Sequence, residues 1–350
     1  MVIIVGVENP LLDISVNCDE HFLHKYSLEA NSAILAGPDH LPLYTEIKKF
    51  GDVFYSAGGA TQNAMRVAQW MLGGKDVPSS VTYMGCVGDD DNMEKMKKSV
   101  ENDYGVIAQY LVDDSGHPTG TCGVLVSDNG KNRSLVANLG AANHFKKSHL
   151  ENNIDILKKA KLIYSSGFFI TAAADSLEFI CQFTASSNVL FAFNLAAPFI
   201  CEVDPFRAIL MKTIPYVDFL FGNDAEAVVL ANKLEWTETV LPDICMRLAN
   251  LPSISGRRNR VVVITCGAEP TCIAVQGEST VRMAPIQAID ASEIVDSNGC
   301  GDAYAGAFLA GISLDKDIAE CARAAAYAAC EVIKRGGCTL PAHSSFKWTA

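Results

Sequence analysis

Six runs of near-continuous Val, Ile, Leu and Phe recur along the chain with amphipathic stretches between them. That rhythm limits the fold more than any other feature. The runs are VIIVGV (2–7), SVTYMGCVG (80–88), KLIYSSGFF (161–169), VLFAFNLA (189–196), DFLFGN (218–223) and RVVVITCG (260–267). A strand that is apolar at nearly every position is buried on both faces, as in a parallel sheet layered between helices. The intervening helix candidates are TQNAMRVAQWML (61–72), DNMEKMKKSVEND (91–103), SHLENNIDILKKA (148–160) and TVLPDICMRLANL (239–251). Strand–helix alternation of this kind predicts a doubly wound α/β domain.

Two segments break the rhythm. TGTCGVLVSDNGKNRSLVANLG (119–140) holds two β-like runs around Asp128-Asn129-Gly130, a hairpin signal because such a turn needs residues that tolerate positive φ. HLPLYTEIKKFGDVFYSAGG (40–59) suggests a strand running into a glycine turn. Together they predict a small β-rich lid, discontinuous in sequence: a large unit from 1–15, 65–117 and 142–350, and a lid from 16–64 and 118–141. Lids of this kind shield reactive phosphates from water.

Charge and cysteine usage narrow the function classes. Lys and Arg number 28 against 40 Asp and Glu, a net −12, which disfavours nucleic acid as a partner. The 12 cysteines form no C-x-x-C and sit in apolar runs, so they read as small buried hydrophobes of a reducing compartment. His21 and His24 are a weak metal candidate without an acid between them. The N-terminal run lacks a signal-peptide pattern, and no apolar run reaches the ~18–20 residues of a membrane span. The expectation is a soluble, cytoplasmic protein.

The densest chemistry lies in DSNGCGDAYAGAFLAG (296–311). The spacing from Gly299 through Gly301 misses a dinucleotide G-x-G-x-x-G, and no Walker loop occurs elsewhere. What remains is a glycine turn feeding a helix of small residues. Unpaired amides at a helix N-terminus attract anions, and Gly299 and Gly301 let an oxyanion approach the main chain. Cys300 contributes its amide rather than its thiol. Asp302 falls in the first turn, where shape alone fits an ordinary helix-terminal acid as well as a catalytic one.

DSNGCGD resembles the D-T-N-G-A-G-D signature of the ribokinase-like carbohydrate and nucleoside kinases. ENPLLDIS (8–15), AGGATQNAMRVAQWML (57–72), PTGTCGVLV (118–126), NRSLVANLGAAN (132–143), SGFFIT (166–171), APFI (197–200), PYVDFLFGNDAEA (215–227) and GGCTLP (336–341) are similar, in order, to landmarks of the branch that phosphorylates adenosine. The resemblance implies a ribokinase-like fold, adenosine and ATP as substrates, Mg²⁺ as cofactor and a monomer.

It also implies roles. Asp13 holds the ribose hydroxyls, with Asn9, Gly58, Gly59 and Asn63 beside it. Phe168 stacks on the purine between Leu11, Leu35, Leu135 and Ala137; Asn298 lies next to the substrate. Arg133 reaches the transferring phosphate on closure. Asn223 and Glu226 organise Mg²⁺, Glu226 through water, and Thr265 and Gly267 lie near the ATP phosphates. Asp302 is the base, with the amides of Gly299, Cys300 and Gly301 around the phosphoryl group. The sequence departs from the pattern at Ser297, Cys300 and Ala60, after Gly267, and at Ala33 and Ala326, where relatives can carry glutamine and histidine. Three rivals remain: a sister kinase for another nucleoside or sugar, a non-catalytic adenosine-binding protein, and an oxidoreductase.

Overall fold

The structure, a computed structural model, describes residues 4–128 and 132–349. Val2, Ile3, Asn129 and Gly130 of the expected first strand and hairpin turn lie outside the described residues. The larger sheet runs from edge to edge as Ile107–Ala108, Val81–Met84, Ile4–Val7, Leu162–Ser166, Leu190–Asn194, Phe219–Asn223, Val261–Cys266, Glu269–Val275 and Arg282–Ala284. Pairing is parallel up to Val261–Cys266, and the last two strands join antiparallel.

The alternation within each central strand explains the layers. Val261 and Val263 face one core with Phe219 and Phe221, where the helices Ala60–Met71, Cys300–Ser313 and Ile318–Ile333 pack. Val262 and Ile264 face the other with Leu220, Phe191 and Phe193, under Ala174–Ala185, Asp224–Lys233 and Leu241–Ala249. Both faces are covered, which is why the runs are apolar throughout.

A second sheet orders Ala33–Leu35, Asn132–Asn138, Thr121–Ser127, Leu11–Asn17 and Phe54–Gly58. Thr121–Ser127 and Asn132–Asn138 pair antiparallel, as the hairpin signal requires. One face packs Ile14, Val16, Leu125 and Val136 beneath the helices Glu20–Lys25 and Leu41–Ile47. The opposite face carries Leu11, Val124, Leu135 and Ala137.

Several sequence expectations shift. Leu11–Asn17 lies in the smaller sheet, because it pairs with both Thr121–Ser127 and Phe54–Gly58, so a boundary at residue 15 cuts a strand. Helix Ala60–Met71 is continuous and packs mainly on the larger unit, so a boundary at 64 cuts that helix. Of HLPLYTEIKKFGDVFYSAGG, the end forms the expected strand, Phe54–Gly58, running into Gly59 at φ +90, whereas its start folds as the helix Leu41–Ile47, burying Leu43, Tyr44 and Ile47 at helical spacing. The segment 148–160 is two helices, Lys147–Asn152 and Ile154–Lys159, broken where the Asn153 amide turns back to the His149 and Leu150 carbonyls.

Helix Cys300–Ser313 crosses Ala60–Met71 at Gly306, where an added Cβ would stand 2.2 Å from the Ala64 carbonyl oxygen. We expect Gly306→Ala to cost about 1–3 kcal/mol in urea denaturation, since backbone cannot yield as a side chain can. At Gly301 an added Cβ meets nothing within 4 Å. Gly301→Ala should leave the denaturation midpoint unchanged or slightly raised.

Candidate active site

Gly299 takes φ +78, the left-handed conformation, and starts the helix Cys300–Ser313. An L side chain is disfavoured there, and a Cβ would also press on Cys338 at 2.6 Å. Among the described residues, the amides of Gly301 and Asp302 have no backbone acceptor. The Cys300 amide instead donates to the Ser297 carbonyl at 3.3 Å, so of the expected ring of amides this one is engaged in the turn. Its thiol points away, towards the Asp296 and Ala329 carbonyls, and burial raises its pKa.

Asp302 Oδ2 accepts a hydrogen bond from Asn63 Nδ2 at 2.9 Å. Asn63 Oδ1 in turn accepts from the Arg66 guanidinium, which also donates to the Ala57 carbonyl at 2.7 Å. Arg66 is buried at 1% exposure one helical turn beyond Asn63. Sequence reasoning missed it, although Asn63 and Arg66 at i and i+3 in a buried helix were a signal.

Two adjoining cavities meet at Asp302. The larger, about 340 Å³, is lined by Asn9, Leu11, Asp13, Leu35, Gly59, Asn63, Leu135, Ala137, Phe168, Asn298, Gly299, Gly301 and Asp302. Its volume lies in the range of small-molecule pockets. Ala33 adds an apolar wall. Asn9 donates to the Phe168 carbonyl at 3.0 Å, and its buried Oδ1 has no partner among the described residues. Gly58 lies outside the lining but makes room for Asp13: a Cβ there would fall 2.0 Å from Asp13 Oδ1.

The smaller cavity, about 140 Å³, is lined by Asn223, Glu226, Thr265, Gly301, Asp302 and Tyr304 among others. Asn223 and Glu226 form a capping box on the helix Asp224–Lys233: Asn223 Oδ1 accepts from the Glu226 amide at 2.8 Å, and Glu226 accepts from the Asn223 amide at 3.0 Å. Gly267, with φ +58, makes the turn after Val261–Cys266 and lines neither cavity.

Arg133 also lies outside both linings. Its Nε donates to Asp296 Oδ1 at 2.8 Å and a terminal nitrogen donates to the Val295 carbonyl at 3.0 Å. Asp296 also accepts from the amides of Asn298 and Gly337, at 2.8 and 2.7 Å. This buried acid ties the lid strand, the glycine turn and the GGCT loop together; its role was not read from sequence.

Burial raises the site's acids. Asp302 is pushed up to about 6 by burial, opposed by the Asn63 bond and Arg66. Asp13 rises to about 7 by burial, with Arg66 pulling down and Asp302 and Asp296 pushing up. Glu226 rises to about 7, again by burial, against the Asn223 amide bond. Glu8, absent from the sequence expectations, accepts from the Thr61 amide at 2.9 Å and from Ser166, and burial takes it to about 7.

A sequence profile of the "pfkB family carbohydrate kinase" matches residues 28–345. The chain belongs to this family, and its fold is that of an ATP-dependent phosphotransferase. Adenosine kinase 1 of Arabidopsis thaliana is 43% identical over 346 residues, covering 98% of this chain and 97% of that protein. The adenosine kinase of Dictyostelium discoideum is 42% identical, covering 95% of each. The solved structure of Anopheles gambiae adenosine kinase, in complex with P1,P4-di(adenosine-5) tetraphosphate, superposes with a TM-score of 0.92 at 39% identity. That match covers 98% of this chain and 99% of the other.

Acids whose folded pKa lies above the unfolded value bind more protons folded than unfolded between the two. Their contribution to stability is therefore present at the acidic end and is lost as pH rises from about 4 to about 7. Thermal melts of the ligand-free protein should fall between about pH 5 and 7.5, with a shallower fall in Asp13→Asn. A melting temperature that climbs over this range in both proteins would contradict the assignment.

Proposed function

We propose that this chain transfers the γ-phosphoryl group of ATP to the 5′-hydroxyl of adenosine, giving AMP and ADP. The observation that carries this reading is the position of Asp302: one carboxylate, oriented by Asn63, lining both cavities where they meet. In the larger cavity the purine would lie between Phe168 and the lid residues Leu135 and Ala137, with the ribose on Asp13 and Asn9. Adenosine is the named substrate of the full-length relatives, and apolar walls with a few fixed polar groups suit a nucleoside.

In this reading Asp302 orients the 5′-hydroxyl and accepts its proton as the oxygen–phosphorus bond forms and the bond to the ADP oxygen breaks. Phosphoryl transfer is loose and depends mainly on positioning and charge neutralisation, so a base near 6 suffices. The free amides of Gly301 and Asp302 stabilise charge on the moving group. Gly299 supplies the turn that aims them, and Thr265 and Gly267 flank the ATP phosphates. Arg133 reaches the phosphoryl group by exchanging its Asp296 partner for it.

Glu226 fits a hydrated Mg²⁺. Its oxygens keep lone pairs beyond the two bonds to Asn223, and Mg²⁺ retains waters while taking few carboxylates. When bound with ATP, the ion neutralises phosphate charge. Glu226 and Asn223 would hold its water shell in place.

Asp302→Asn, close in shape, should lower kcat by about 10²–10⁴ in an ADP-release assay while calorimetry shows adenosine binding within a few fold of the parent. Turnover within tenfold of the parent would remove Asp302 as base. The kcat/KM profile should carry an acidic limb near pH 6, because the carboxylate must be ionised. Arg66→Met should move that limb upward, since Arg66 lowers the Asp302 pKa. Parallel assays with guanosine, cytidine and ribose test the substrate class; a higher kcat/KM for any of them would replace adenosine.

A further inference from the structure

Away from both cavities, three residues converge where the lid hairpin joins the larger unit. Asp113 follows the strand Leu111–Val112 on the way into the lid strand Thr121–Ser127, and His117 lies between them. His144 ends the turn Gly140–His144, which leaves the lid strand Asn132–Asn138. The two crossings are already joined by backbone: the Ala141 amide donates to the Pro118 carbonyl at 2.8 Å.

The chemistry of the cluster is not that of a surface ion pair. Asp113 is buried at 5% exposure, and its Oδ2 accepts from the His117 amide at 3.1 Å and lies 2.9 Å from His117 Nδ1. Asp113 Oδ1 is buried with no hydrogen-bond partner among the described residues. A carboxylate oxygen out of water without a partner is costly, and a cation satisfies it. His117 stacks on His144 at 3.7 Å between ring centroids, with planes 16° apart, and both rings are half-buried. Burial pushes the Asp113 carboxyl up, but the His117 bonds and both imidazoles outweigh it and hold it below the usual range.

One ligand atom from each of the three lies within 4.8 Å of the others. Stacked imidazoles do not point their lone pairs at one ion, because each lone pair lies in its own ring plane. To bring both onto one ion at the usual ~2.0–2.1 Å, the half-buried His144 would rotate about its side-chain bonds. Two imidazoles and one carboxylate select a borderline transition ion over Mg²⁺ or Ca²⁺, which prefer all-oxygen shells.

We propose that Asp113, His117 and His144 form a binding site for a divalent transition-metal ion of the zinc type, clipping together the two chain crossings of the lid. Water completes the shell. Nearby, Lys146 pairs with Asp114 at 3.4 Å and stays outside the ligand set.

The test uses untagged, chelator-treated full-length enzyme. Dialysis against Zn²⁺ followed by metal analysis should give one more ion per chain in the wild type than in His117→Ala/His144→Ala. Each single variant should lose about tenfold or more in affinity. His144→Cys should retain the ion, since thiolate is also a zinc ligand. Zn²⁺ should raise the melting temperature of the wild type and not of the double variant, while kinase activity without zinc is equal in both. Equal stoichiometry and equal thermal shift would overturn the site and assign the metal to cysteines elsewhere. Side-chain nitrogen NMR of the wild type needs no variant: zinc should perturb two of the seven histidines. Perturbation of none, or of all alike, would overturn it.

Discussion

The hydrogen bond from Asn63 to Asp302 joins residues 239 positions apart, and the rest of the site is arranged around making it possible. It requires two helix N-termini to meet side by side on one edge of the sheet. Gly306 permits that approach by letting one helix backbone rest on the carbonyl of Ala64 in the other. Arg66, one turn further along the same helix, bonds Asn63, so the carboxylate, the amide and the guanidinium form a single hydrogen-bonded line. A carboxylate carried on a long helix is held precisely only if its helix cannot slide; here a glycine–carbonyl contact sets the distance.

Around that line the electrostatics are deliberately unbalanced. Glu8, Asp13, Asp302 and Glu226 share a small volume in which Arg66 is the buried counter-charge, and burial raises all four pKa values. Such a cluster favours any ligand that brings hydroxyl donors to Asp13 and divalent charge near Glu226. Binding then relieves the repulsion that folding leaves behind. Repulsion held in reserve is a familiar property of functional sites, where pKa perturbation concentrates.

Much of this was legible in the residues. The apolar runs specified a layered parallel sheet because a strand buried on both faces leaves no polar positions, and in the smaller sheet Leu135 and Ala137 share one face while Val136 lies on the other, as successive strand residues do. Asp302 could not be separated from a helix cap by its motif, since both uses place an acid in the first turn. The lid edge was misplaced because strand Leu11–Asn17 follows the first large-sheet strand after three residues and changes sheets there, which no local pattern signals. Asp296 escaped notice because its partners, Arg133 and the Gly337 amide, are distant in sequence, whereas Arg66 reaches Asp302 only through Asn63, three residues before it on the same helix.

Asn223 and Glu226 carry the argument one step further. Their reciprocal bonds are those of an ordinary capping box, sufficient to explain both residue types at that spacing without any ligand. Yet the cap sits at the end of a central strand, its acid is 3% exposed, and it lines a cavity beside Asp302. A cap acid at a solvent-facing helix end would keep an ordinary pKa, whereas this one is driven to about 7 by burial. The structural bonds fix the carboxylate's orientation, and the fixed orientation is what a water-mediated metal contact needs. The cap's own bonds hold the acid still, which is what the proposed metal role asks of it.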